Sequence, residues 1–84
     1  MSRTISSTVL PIQRAMAGAT PRAWQDGLVV EASGSLLAVA FLDGTVAELR
    51  VFDAVGLSAG EPVAYHPVAE ILDAGRVATT ARAA

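Results

Sequence analysis

The chain has 84 residues, a net charge of −2, 52% hydrophobic residues and no cysteine. That is enough for one domain with a modest core, since a chain this short buries only about 60–65% of its unfolded surface. The composition excludes a disulfide scaffold, a thiolate nucleophile and a cysteine zinc site, and its apolar fraction argues against wholesale disorder.

No window approaches the roughly 20 apolar residues of a membrane span, and the N-terminus lacks a secretory-type apolar run, so a soluble cytoplasmic protein is expected. The charge is divided along the chain: residues 1–26 carry +2, residues 27–73 carry −6 and the remainder carries +2. An acidic centre repels phosphate, so a nucleic acid would have to be touched by the termini.

Met1 to Leu10 keeps neither the helical nor the strand period. Pro11 then suits the first turn of a helix, and Ile12, Ala15, Met16 and Ala19 follow at i, i+3, i+4, i+7 spacing. A helix of about two turns is predicted, ended by Gly18 and Pro21. Its apolar residues Ile12 and Met16 either dock on the rest of the fold or form a strip for a partner. Trp24, the only tryptophan, reads as a plug at one end of the core, or with Arg22 as a binding hot spot.

Gly27 to Phe52 is the organising stretch, three apolar runs separated by Ser33-Gly34-Ser35 and by Asp43-Gly44. Strands are predicted over Leu28–Ala32, Leu36–Leu42 and Thr45–Phe52. The second is apolar throughout, which predicts cover on both faces. A two-residue turn at Asp43-Gly44 would put Glu48 and Arg50 on the face of Leu37, Val39 and Phe41. A three-residue loop with Gly44 left-handed instead pairs Phe41 with Thr45 and gathers Leu37, Val39, Phe41, Ala47, Leu49 and Val51 on one face. The second register is expected. Phe52 then falls on the polar face, unless a bulge turns it inward.

Asp53 to Gly60 reads as a loop with Leu57 tucked in, and Glu61 to His66 as a fourth strand with Pro62 at its entrance, where a missing donor is tolerated. Val68 to Leu72 forms a fifth strand or a helical turn. Ala74 to Ala84, with Val77 as its one large apolar residue, reads as a mobile tail. The expected fold is all-β: a small five-stranded SH3-like or OB-like barrel at 27–73, preceded by an extension with a short helix at 1–26 and followed by a tail at 74–84.

Acid–base chemistry needs titratable groups that converge, and the candidates here are His66, Glu61 and Glu70. His66 has no second histidine or cysteine to complete a metal site, and a solitary histidine between tyrosine and proline is read as a strand-end residue bonded to backbone. No phosphate-binding, zinc-protease or nucleophile-elbow spacing occurs. Neither catalytic residues nor a metal or other cofactor is expected. Trp24, Phe41, Phe52 and Tyr65 are too few aromatics, on too acidic a barrel, for a base-stacking platform.

Gly27-Leu28-Val29-Val30-Glu31, Leu37-Ala38-Val39-Ala40-Phe41 with Gly44, Glu48-Leu49-Arg50-Val51, Gly60 to His66 and Ala69-Glu70-Ile71-Leu72 together resemble the small barrel of the HypC/HupF hydrogenase-maturation chaperones over about half of the chain. The same stretch is similar to the N-terminal barrels of rotary ATPase subunits and to KOW-type barrels. The resemblance implies a small barrel. In the chaperone family a cysteine after the initiator methionine holds iron and engages the partner; here Ser2 stands in that place, so that chemistry is carried over to no residue.

The expected function is a non-enzymatic protein-binding module, or small assembly or accessory factor, that docks on a protein partner or self-associates through Ile12, Met16, Arg22, Trp24 and Phe52. The alternative is a nucleic-acid-associated regulator whose Arg3, Arg14, Arg22, Arg76 and Arg82 clamp phosphate.

Overall fold

Asp43 fixes the central hairpin. Its carboxylate accepts the Thr45 N–H at 2.9 Å and the Thr45 hydroxyl at 2.6 Å, while Gly44 turns left-handed at φ +92° and donates its N–H to the Phe41 carbonyl. The Phe41 N–H in turn reaches the Thr45 carbonyl at 2.8 Å. Leu37 therefore faces Leu49 and Val39 faces Ala47, which is the register expected of the three-residue loop. The Thr45 hydroxyl, and after it the Thr45 N–H, hold the Asp43 carboxyl below its ordinary 3.8. A depressed carboxyl contributes stability that is present above the ordinary carboxylate range and lost as pH falls through the lower, folded value. Denaturant titrations between pH 6 and pH 2 are expected to show an acid-side loss that is smaller in Asp43→Asn. Identical pH profiles would remove this role.

The computed structural model describes residues 9–52, 56–75 and 77–84. Helix α1 is Pro11–Ala19, followed by a 3-10 turn at Pro21–Ala23. The strands are β1 Gln25–Ser33, β2 Leu36–Phe41, β3 Val46–Val51, β4 Pro62–His66, β5 Ile71–Asp73 and β6 Ala78–Ala83. They are antiparallel throughout and close into a barrel in the order β1-β2-β3-β6-β5-β4.

The barrel thus has six strands where five were expected, and the segment read as a mobile tail supplies the sixth. Strand β6 pairs with β3 through Leu49–Ala83, Arg50–Arg82 and Val51–Ala81, and with β5 through Ile71–Thr80, Leu72–Thr79 and Asp73–Ala78. Small residues suit a place inside a narrow barrel: Ala81 is fully buried and Thr79 nearly so. The 1–26 boundary also shifts, because β1 begins at Gln25 and α1 packs on the barrel wall through Ala17.

The interior is built from Val29, Leu37, Val39, Phe41, Leu49, Val51, Val63, Tyr65, Leu72 and Ala81. Leu57 packs against this cluster, as expected of the loop; the first part of that loop, Asp53 to Val55, lies outside the described residues. Burial of the Tyr65 ring, and after it the charge of Glu70, push the Tyr65 hydroxyl above its ordinary 10.0. Only one face of β2 is covered. Leu36 is exposed and Ala38 and Ala40 are half-buried, so the continuous apolar run did not mean cover on both faces. Pro62 opens β4 as expected and Val68 falls in the turn before the short β5. Strand β1 carries a bulge at Val30, between Val29, which faces Val39, and Glu31, which faces Ala38.

Candidate interaction surfaces

The outer wall of the barrel carries two apolar surfaces, one covered by α1 and one open. On the covered side His66, Ile71 and Thr80 are paired across β4, β5 and β6, and all three are buried. Alternation sends their neighbours Tyr65, Leu72, Thr79 and Ala81 inward, so this row points out, under the helix. Helix α1 runs along it. Gln13 donates to the carbonyls of Ala69 at 2.9 Å and Glu70 at 3.2 Å, and accepts from the Thr80 hydroxyl at 3.3 Å and from its own Leu10 N–H at 2.8 Å. Ala17 packs on Ala69 and Ile71. At the far end Thr20 caps the helix, its hydroxyl donating to the Met16 carbonyl at 2.7 Å.

His66 locks that end. The Ala69 N–H donates to Nδ1 at 3.0 Å, so Nδ1 carries no proton, and Nε2–H is left to donate to the Thr20 carbonyl at 2.9 Å. The Trp24 ring meets the imidazole edge-on, with centroids 5.1 Å apart. This is the backbone-bonded strand-end histidine expected from the sequence, with the helix as its second partner. Among the described residues no group of three or more histidine, aspartate, glutamate or cysteine side chains converges as a metal site would require. Trp24 does plug, but at the seam between helix and wall: it packs with Ala17, Ala69 and Ile71 and not with the barrel interior.

The orientation of α1 reverses one expectation. The helix docks through Gln13 and Ala17, so its i, i+3, i+4, i+7 stripe faces outward: Ile12 is 64% exposed, Met16 40%, and Ala15 and Ala19 are exposed. Gln13 is chosen over Ile12 because its carboxamide satisfies polar groups of the wall, the Ala69 and Glu70 carbonyls and the Thr80 hydroxyl, and the small Ala17 allows close approach. Of the two readings of the stripe, docking on the barrel is excluded and the free strip remains. Between helix and wall lies an open cleft of about 300 Å³ lined by Arg14, Ala17, Gly18, Trp24, Ile71 and Asp73, among others.

Phe52 has not turned inward. It is 63% exposed, its N–H donates to the Thr80 carbonyl, and the Arg82 guanidinium lies 5.9 Å over its ring. Arg82 also lies 3.7 Å from Glu70. Of the arginines grouped for phosphate binding, Arg82 is thus paired with a carboxylate, Arg14 shares its cleft with Asp73, and Arg22 is exposed in the 3-10 turn. Arg3 and Arg76 lie outside the described residues. The basic side chains are not brought into one groove among the described residues.

The open surface lies on the outer side of the meander. Pro62, Leu28, Ala40 and Val46 are paired in register across β4, β1, β2 and β3. Leu28 is 49% and Val46 63% exposed. Nothing in the sequence pattern singled out this row, because its members lie on four different strands; the signal was the β2–β3 register, carried one strand further. Among the described residues no helix is long and apolar enough to cross a membrane.

A closed six-stranded antiparallel barrel with a helix strapped to its wall is therefore the class this chain defines. Comparison with protein-family models, with curated proteins and with solved structures finds no match.

Proposed function

We propose that the protein is a binding module, an assembly or accessory factor that works by docking on protein, with the outward stripe of α1 as its contact surface. The observation that carries the reading is the reversed helix. A nine-residue helix is too short to be stable by itself, and this one is bonded to the wall at both ends through Gln13, Thr20 and His66. It nevertheless turns Ile12, Met16 and Ala19 to water. Holding an apolar stripe rigid and exposed is the arrangement that lets a helix enter a groove with little ordering cost. Arg22 follows it in the chain and is exposed, while Trp24 supports the helix from below. Phe52 adds an exposed ring stacked by Arg82.

A photo-crosslinking residue placed at Ile12 or Met16 in growing cells is expected to give a protein adduct, while the same residue at Ser33 or Ser35, at the β1–β2 hairpin end, gives none. Absence of any adduct from both helix positions would overturn the reading.

A further inference from the structure

The open row on the meander has a defined shape and a defined charge. It crosses four strands, β4 to β3, a length of about 14 Å at the usual spacing between strands. One residue row away on one side the register places Glu31, Ala38 and Glu48 in line. On the other side stand Asp26, the 80% exposed Leu42 and Asp43 around a shallow pocket of about 190 Å³. Among the described residues Arg50, beyond Glu48 on β3, is the one arginine that these four strands carry. The row is an apolar strip bordered by carboxylates on both sides.

A second copy laid face to face on this strip by a two-fold axis would set carboxylate against carboxylate. The strip calls for an apolar ridge of similar length accompanied by positive charge. The chain carries such a ridge. Ile12, Ala15, Met16 and Ala19 span about 10 Å along α1 at 1.5 Å per residue. The only charged side chains from Val9 to Gln25 are Arg14, on the cleft side of the helix, and Arg22, just beyond its end, so the ridge carries no carboxylate and ends on an exposed cation. The barrel also shows that its wall accepts a helix laid across strands, since α1 itself lies across β6, β5 and β4 through Gln13, Ala17 and Thr20.

We infer that the chain self-associates head to tail, the outward stripe of α1 in one copy seated on the Pro62–Leu28–Ala40–Val46 strip of the next, with Arg22 meeting its bordering carboxylates. This rests on the reading of α1 as a contact surface and names its occupant. The interface is heterologous, so each copy keeps one free stripe and one free strip, and assembly continues into rings or filaments. Its contact area is small, so assembly is weak and appears as a rise in mass with concentration. Pairs of opposite charge at the rim make it salt-sensitive.

Complementation between two variants tests this. Ile12→Asp with Met16→Asp destroys the stripe and leaves the strip; Leu28→Asp with Val46→Asp does the reverse. All four positions are exposed, and the near-ultraviolet signal of Trp24 reports that each variant is folded; Leu28→Gln with Val46→Gln replaces the aspartates if the sheet is disturbed. By sedimentation between about 10 µM and about 1 mM, the wild-type mass is expected to rise past that of a dimer. Each variant alone stays monomeric, and their equimolar mixture stops at the mass of one dimer. A wild-type chain that is monomeric at the top of this range, a variant that assembles alone, or a mixture that stays monomeric overturns the inference. If the crosslinks at Ile12 join a different protein while the purified chain is monomeric, the head-to-tail assembly falls and the binding-module reading stands.

Discussion

Cutting the chain after Gly75 is expected to abolish its cooperative unfolding transition. Residues 78–83 complete the wall between β3 and β5, and the Ala84 N–H extends this pairing to the Glu48 carbonyl. Removing them exposes the pairing groups of two strands at once and opens the interior beside Val51 and Leu72, both almost fully buried. A domain of this size has a total stability of only about 4–12 kcal/mol, which leaves little to absorb the loss of a closing strand. The milder companion is Ala81→Asp in the full chain. Ala81 is 0% exposed, and an unpaired carboxylate there costs about 3–5 kcal/mol. Circular dichroism on heating separates the outcomes: a sharp transition retained by the shortened chain would show that β6 is an accessory to the barrel and not part of its closure.

Gly27→Val is expected to be among the most damaging single substitutions in the interior. A Cβ at this position would lie 2.7 Å from the Ala40 carbonyl oxygen, 2.9 Å from a Val39 methyl and 3.1 Å from the Phe41 ring. The first of these is backbone held in the β1–β2 ladder, so it cannot swing away as a flexible side chain would. The vacant space has a use. With nothing on Gly27, the Phe41 ring reaches across β1 to stack on Tyr65 with centroids 6.3 Å apart and planes at 29°. Refilling that space costs about 3 kcal/mol, a fall in melting temperature of roughly 12–24 °C for a chain of this length. Gly27→Ala is expected to fall between the variant and the wild type. A Gly27→Val protein that melts with the wild type would mean that β1 and β2 can separate at no cost, against everything the register implies.

The hairpin at Asp43-Gly44 was legible because two independent signals agreed: the turn chemistry allowed a three-residue loop, and only that loop put Leu37, Val39, Leu49 and Val51 together. Strand β6 was not. Its residues Ala78 to Ala83 are alanine, threonine and one arginine, side chains whose burial depends on how little room six strands leave inside, which no local pattern reports. The helix shows a third case. Its period was readable and its orientation was not, because an amide that meets buried carbonyls and an alanine that lets two elements approach outweighed two larger apolar side chains. The same blindness hid the open strip on the meander, whose four members come from four strands. His66 was placed correctly at a strand end, but its bond to Thr20 joins residues 46 positions apart, and sequence distance gives no hint of it.

Closure of the ring has a consequence for how this molecule can be recognised. With each strand among the described residues paired on both sides over at least part of its length, the barrel has no strand with a wholly open edge, so it offers little main chain for a visiting peptide to extend. What the barrel presents is then chiefly side chains. Those side chains sit on the outer wall, largely apart from the residues that fill the interior, so substitution there can change the surface while the architecture stays as it is.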